Sequence, residues 1–303
     1  MNNYNINDFE SQVKKILHKA QIKKSLNRDV ISWLYSRGLE DKAIAISNCA
    51  NNIGITNING VAKIIRADFC KQRLCNVCAW RRQSKFTAQM FPVLKILQKD
   101  YEFLFVTLTM RSVAIAELKN AVNEILKAYD RLLKHRRVKR AWVGKVRGLE
   151  MKYNPRSKTF NPHIHILVAV EKDYFTNSDK YISHKMLVEY WSESLKTDYN
   201  PRCEVKKVAN QQGAVVETLK YSFKQMNDNT ALLGFHTALS GRRLVSFGGV
   251  FAETRKLLKL SDFENVLTDD MPQNTPKQIF YSLYTFDATG GVYSYYKQFE
   301  MAL

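Results

Sequence analysis

The stretch Phe160–Val170, FNPHIHILVAV, sets His163 and His165 one residue apart inside an apolar run that reads as a covered strand. Side chains two apart on a strand point to the same face, about 6.8 Å apart along the chain, so two imidazoles converge there. Each brings polar nitrogens that need partners once buried. The preceding strand, 141–153, contains GLEMKY and is joined to this one by NPRSK, whose Asn-Pro and Arg-Ser steps suit a turn. With the turn centred on Arg156–Ser157, Tyr153 lies opposite Phe160 and Glu150 opposite His163. A slip of two residues keeps Glu150 on that face, and a slip of one removes it. Glu150, His163 and His165 then form a two-imidazole, one-carboxylate set. It suits Mn²⁺ or Zn²⁺, and Mg²⁺ when a phosphate adds a ligand. The ordinary alternative is a pair of core histidines held by neighbouring hydroxyls.

Working outward, residues 9–45 show helical spacing, 61–69 read as a strand, and 79–99 as a helix. EFLFVTLTM (102–110) reads as a central strand, 114–135 as a helix, 183–196 as an amphipathic helix, 202–208 as a strand and 213–225 as a helix. RRLVSFGGVF reads as strand and turn before a Leu-rich helix, and YSLYTFDATGGVYSYY as a closing hairpin. The order predicts an α+β domain around a central, mainly antiparallel sheet of about five strands. The expected divisions are a helical region 1–48, a cysteine-rich and basic-helix region 49–100, a core 101–260 and an extension 261–303.

The net charge of +19 over 303 residues favours a polyanionic partner, and 45 % hydrophobic residues exclude a disordered tail. The first residues, MNNYNINDFE, lack the apolar core of a leader, and no run approaches the ~18 residues of a spanning helix. A cytoplasmic protein with reduced cysteines and no membrane partner is expected. Cys70-x4-Cys75-x2-Cys78, with Cys49 across a predicted strand, can close a tetrahedral structural Zn²⁺ site; unligated thiols are the alternative. Cys203 reads as a packed thiol. Arg73, Arg81, Arg82 and Lys85 put positive charge beside the cysteines. KHRRVKRAWVGKVR (134–147) adds Arg136, Arg137, Lys139, Arg140 and Arg147. DNA phosphates suit both runs, and so does a solvated basic face. Trp142 can stack on a base or pack.

VVETLKYSFKQ (215–225) sets Glu217, Tyr221 and Lys224 on one helical face. A phenol with pKa ≈ 10 needs a nearby cation to act as a nucleophile at neutral pH. With 15 tyrosines in the chain, this spacing alone does not select one.

The ordered set does. FVTLTMR (105–111), the HIH hairpin and E-x3-Y-x2-K together resemble the rolling-circle replication initiators of the large Gram-positive plasmid group, single-tyrosine HUH endonucleases. DFCKQRLCNVCAWRR (68–82) and GRRLVSFGGVF (241–251) extend the resemblance from about Cys49 to Leu258. It implies an HUH-type core and a Mn²⁺ or Mg²⁺ ion held by His163, His165 and Glu150. It also implies Tyr221 as nucleophile on single-stranded or hairpin plasmid origin DNA, leaving a 5′-phosphotyrosine link and a 3′-OH primer. Glu217 would activate water to end the cycle, and Lys224 would steady the phosphate or phenolate. A host helicase and polymerase are the implied partners, and a homodimer is compatible. A relaxase or transposase, a non-catalytic zinc-containing DNA-binding regulator and an RNA-binding sheet module are the competing classes.

Overall fold

A computed structural model describes residues 6–209, 211–218, 228–260 and 278–302. In chain order they form α1 (Ile6–Ser25), α2 (Asn27–Tyr35), α3 (Glu40–Ser47), β1 (Asn52–Ile58), β2 (Val61–Ala67), α4 (Asn76–Leu97), β3 (Tyr101–Thr109), α5 (Ile115–Lys134), α6 (Arg136–Ala141), β4 (Gly144–Asn154), β5 (Thr159–Glu171), α7 (His184–Leu195), β6 (Cys203–Lys207), α8 (Gln211–Thr218), α9 (Asn229–Leu239), β7 (Val245–Gly249), α10 (Val250–Leu257), β8 (Gln278–Asp287) and β9 (Val292–Ala302). Every ladder is antiparallel, which bears out the α+β class. Among the described residues there are two sheets, β2-β1-β8-β9 and β6-β3-β5-β4-β7, each in its own compact unit.

The first unit holds the described residues up to Arg82 together with β8 and β9. The sequence reading has one strand over 61–69; the structure has a hairpin, because Asn59 and Gly60 both take positive φ (53° and 81°) and turn β1 tightly into β2. β1 then pairs with β8, with Asn52 opposite Thr285 and Ile55 opposite Ser282.

The second unit runs from Gln83 through α10 and contains the five-stranded sheet. The strand read over 141–153 begins at Gly144, and residues 136–141 ahead of it form the short helix α6. The β4–β5 hairpin has the expected register: Tyr153 faces Phe160 and Glu150 faces His163. Asn154 Oδ1 accepts from the Arg156 and Ser157 amides (3.0 and 3.4 Å), and Lys158 closes the turn at φ +51°.

Alternation sorts this sheet into two faces. Phe105 and Thr107 of β3, Gly148 and Glu150 of β4, and His163, His165 and Leu167 of β5 share one. On it, Phe86 and Met90 of α4, Val215 of α8 and Phe251 of α10 pack with Val146 and Leu167. The other face carries Phe160, set edge-on to Phe235 of α9 at 6.0 Å, and packs on α5. The buried spacing Leu118, Val122, Ile125, Tyr129, Leu132 gives α5 a continuous apolar stripe for that face.

Candidate functional site

β4 and β5 bring Glu150, His163 and His165 together on the face that also carries α8. Glu150 Oε2 lies 2.8 Å from His163 Nε2 and 2.6 Å from His165 Nε2, and all three side chains are buried. Burial alone would raise the Glu150 carboxyl pKa. The hydrogen bonds and charge of the two imidazoles outweigh it and hold the group well below the usual carboxylate range. His163 Nδ1 lies 3.0 Å from the Asn161 carbonyl oxygen. A carbonyl can only accept, so that nitrogen carries a proton and a neutral ring has its lone pair on Nε2, facing the carboxylate. Lone pair against carboxylate is repulsive. The trio is satisfied with protonated imidazoles or with a cation among the three atoms, and the donor set matches a divalent transition metal.

The two histidines open into a cleft of about 740 Å³. Thr107, Arg111, Lys152 and Lys206 line it, and so does Glu217 of α8. α8 reaches this face because residue 148 is glycine: a Cβ there would collide with the Thr218 carbonyl oxygen. The sequence offers this glycine no signal of its own, since the contact joins residues far apart in the chain. Tyr221 and Lys224 lie outside the described residues, as does the second half of the expected helix 213–225.

The four cysteines form a second cluster, in the first unit. Cys49 follows α3, Cys70 follows β2, Cys75 precedes α4 and Cys78 lies in its first turn. The Cys49–Cys78 and Cys70–Cys78 sulfur separations are 3.5 and 3.7 Å. A Zn–S bond of about 2.3 Å makes the edge of a tetrahedron about 3.8 Å, so the set fits a four-thiolate metal site. Hydrogen bonds from the other three sulfurs, with burial, push the Cys49 thiol pKa up. Four thiolates at this spacing repel one another unless a cation joins them. Asn27 braces the cluster: its Oδ1 accepts from the Asn76 amide at 2.8 Å, and its Nδ2 donates to Cys75 Sγ at 3.5 Å. Lys24 Nζ donates to the Cys49 carbonyl at 2.8 Å.

The family model described as "Replication protein" matches residues 61–293. The chain belongs to this replication protein family. A "Protein rep" of Streptococcus pneumoniae is 33 % identical over 233 residues, 73 % of each chain. A "Protein rep" of Lactiplantibacillus plantarum is 30 % identical over 244 residues, covering 74 % of this chain and 77 % of its own. A "Replication protein" of Staphylococcus aureus is 30 % identical over 187 residues, covering 55 % and 80 %. No solved structure matches. The resemblance to rolling-circle replication initiators read from the ordered motifs thus holds at the level of the family.

The basic residues expected to contact DNA divide in this replication protein. Arg136, Lys139 and Arg140 are exposed, Arg140 pairing with Asp179 at 3.4 Å. Arg73, Arg81, Lys85 and Arg137 are half-buried. Arg137 Nη1 donates to the Ser178 and Tyr181 carbonyls, and Arg81 Nη2 to that of Ile64. Arg82 and Arg147 are the most buried of the set. Only 3 % and 6 % exposed, they serve protein groups: Arg82 donates to the Lys71 carbonyl, Arg147 to Ser246 Oγ and the Arg243 carbonyl. Trp142 is buried and packs, and Cys203 is a buried thiol whose pKa burial pushes up to about 12. Among the described residues no helix is long and apolar enough to cross a membrane.

Proposed function

We propose that the chain initiates plasmid rolling-circle replication by nicking and rejoining single-stranded origin DNA. The observation that carries this reading is the Glu150–His163–His165 set, which opens into a basic cleft shared with Glu217, in a chain of the replication protein family. Those three residues would hold a Mn²⁺ or Mg²⁺ ion, which when bound polarises a phosphodiester and offsets the charge that develops on its oxygens. Tyr221, three residues beyond Thr218, supplies the nucleophile. Its phenolate oxygen bonds to phosphorus, the P–O3′ bond breaks, and the departing oxygen takes a proton to become the 3′-OH primer. Lys224 steadies the phenolate or the phosphate. In the closing step Glu217 takes a proton from water, the water oxygen attacks phosphorus, and Tyr221 leaves as the phenol. Arg136, Lys139 and Arg140 are exposed and suit backbone phosphates; Arg73, Arg81, Lys85 and Arg137 add positive charge that suits the same partner. The four cysteines hold a structural Zn²⁺. The setting is cytoplasmic, with a host helicase and polymerase taking over the opened strand; two copies acting as a homodimer are compatible with this.

Labelled single-stranded origin DNA incubated with Mn²⁺, or with EDTA, and run on a denaturing gel tests the reading. Wild type gives a metal-dependent covalent adduct and Tyr221→Phe gives none. Specific binding without any adduct under Mn²⁺ or Mg²⁺ would leave a regulator. An adduct that survives in Tyr221→Phe keeps the enzyme and moves the nucleophile elsewhere.

A further inference from the structure

The two histidines of the cluster are held from behind by partners of different chemistry. For His163 the partner of Nδ1 is a backbone carbonyl, that of Asn161, two residues earlier on the same strand. That segment is itself fastened, since Asn161 Nδ2 donates to the Met110 carbonyl at 2.8 Å. The carbonyl leaves one choice, a proton on Nδ1 and a metal-facing Nε2. For His165 the partner of Nδ1 is the Thr107 hydroxyl, at 3.1 Å. A hydroxyl donates or accepts, so here the tautomer depends on which role the threonine takes.

The register makes this contact specific. Thr107 of β3 is the direct cross-strand partner of His165 of β5, on the same sheet face. Two residues earlier on that face, Phe105 stacks on the His165 ring with centroids 5.4 Å apart and planes 20° from parallel. Phe105 fixes the plane of the imidazole; Thr107 acts on the rotation and protonation that remain. With the hydroxyl accepting, Nδ1 carries the proton and Nε2 presents its lone pair on the side where Glu150 and His163 converge.

We infer that Thr107 is a positioning residue that accepts the Nδ1–H of His165 and so presents Nε2 of that ring to a divalent cation. The inference rests on the metal reading of the Glu150–His163–His165 cluster. Thr107 acts through His165 and makes no bond to the reacting phosphate.

The test uses the full chain, Mn²⁺ as the probe, and the variants Thr107→Val and Thr107→Ser. Valine keeps the shape and β-branching and removes the hydroxyl; serine keeps the hydroxyl. Calorimetry and Mn²⁺ electron paramagnetic resonance read the Kd, with His163→Ala marking binding elsewhere. Loss of an outer-shell hydrogen bond to a metal-ligating histidine weakens binding by about 10–100-fold, which is expected for Thr107→Val, with Thr107→Ser within about threefold of wild type. Equal Mn²⁺ affinity in wild type and Thr107→Val overturns the inference while the metal site stands. Wild-type binding that is indifferent to His163→Ala overturns the metal reading and the inference with it. If Thr107→Val also lowers the melting temperature, imidazole ¹⁵N shifts of the metal-free variant decide. Loss of the Nδ1–H form of His165 supports the positioning role, and its retention overturns it.

Discussion

The two side-chain clusters differ in how much of a metal's coordination the protein could fill. The cysteine cluster offers four sulfurs of one kind at tetrahedral spacing, enough for every position of a four-coordinate ion. The glutamate–histidine cluster has three ligands of two kinds on a sheet face, with a cleft of about 740 Å³ against its histidines. A four-coordinate set filled by protein leaves nowhere for a substrate oxygen, whereas three ligands beside open space do. The first cluster is built from loop and helix-start residues spread over 30 positions, so it ties the end of α3 and the start of α4 to the β1–β2 hairpin. The second is built on paired strands that hold their register without it.

The largest effect expected from this contrast is on the cysteine side. Apparent zinc binding energies of about 10–16 kcal/mol in small zinc domains rival the whole stability of a domain, about 5–15 kcal/mol. If the cysteines hold zinc as proposed, Cys75→Ser should therefore lose it together with the hydrogen-exchange protection of α2, α3 and the β1–β2 hairpin. Retained protection without zinc would break the contrast. His163→Ala is the counterpart. Metal-dependent adduct formation should fall by more than about 100-fold, since a ligand itself is lost and not its outer shell. Zinc content and protection in the first unit should stay at wild-type levels. A fall in both would mean that the clusters do not act separately.

A smaller effect is expected at Gly148, where α8 lies against the glutamate–histidine face. Gly148→Ala forces a Cβ toward the Thr218 carbonyl oxygen. Overpacking of this kind costs about 1–3 kcal/mol. Denaturant unfolding should report that loss, and adduct formation should slow by more than the loss of folded protein accounts for. Unchanged kinetics would detach α8 from the chemistry.

The smallest effect concerns the fifth cysteine, which sharpens the contrast as a sulfur with no cluster. Burial raises the folded-state pKa of Cys203 to about 12. A raised thiol pKa means that its contribution to stability is complete below the ordinary thiol range and is lost as pH rises from there toward 12. At pH 10 the loss is on the order of 1 kcal/mol by this linkage, and Cys203→Ala should lack that part of the alkaline slope. Identical slopes would show that the thiol ionises freely in the folded protein.

Much of the glutamate–histidine face was legible because its information is local. The Asn-Pro-Arg-Ser turn sets the register of one hairpin, the register places Glu150 opposite His163, and alternation does the rest. The cysteine spacing was legible for a similar reason, three of the four lying within nine residues. What escaped reading is long-range or two-valued. β1 was missed although Asn59-Gly60 is a strong hairpin signal, because its partner β8 lies at the other end of the chain. Arg82 and Arg147 looked like surface charge, and a guanidinium among basic neighbours reads the same whether it serves phosphates or carbonyls. Thr107 reads as an ordinary β-branched strand residue until β3 is paired against β5. Tyr221 and Lys224 lie outside the described residues, so their part in the candidate site rests on spacing and family.

The β1–β8 ladder carries a consequence for biosynthesis. The Thr56 hydroxyl donates to the Phe280 carbonyl across 224 residues of chain. At about 5–20 residues per second, the ribosome needs on the order of 10–45 seconds between making the one and the other. Throughout that interval β1 has only β2 beside it, with its other edge unpaired. The whole five-stranded sheet is made and free to fold before β8 emerges. A newly made copy is therefore free to complete the glutamate–histidine face while the sheet of the first unit is still half built. A pause or truncation ahead of β8 would leave an open strand edge exposed to neighbouring nascent chains.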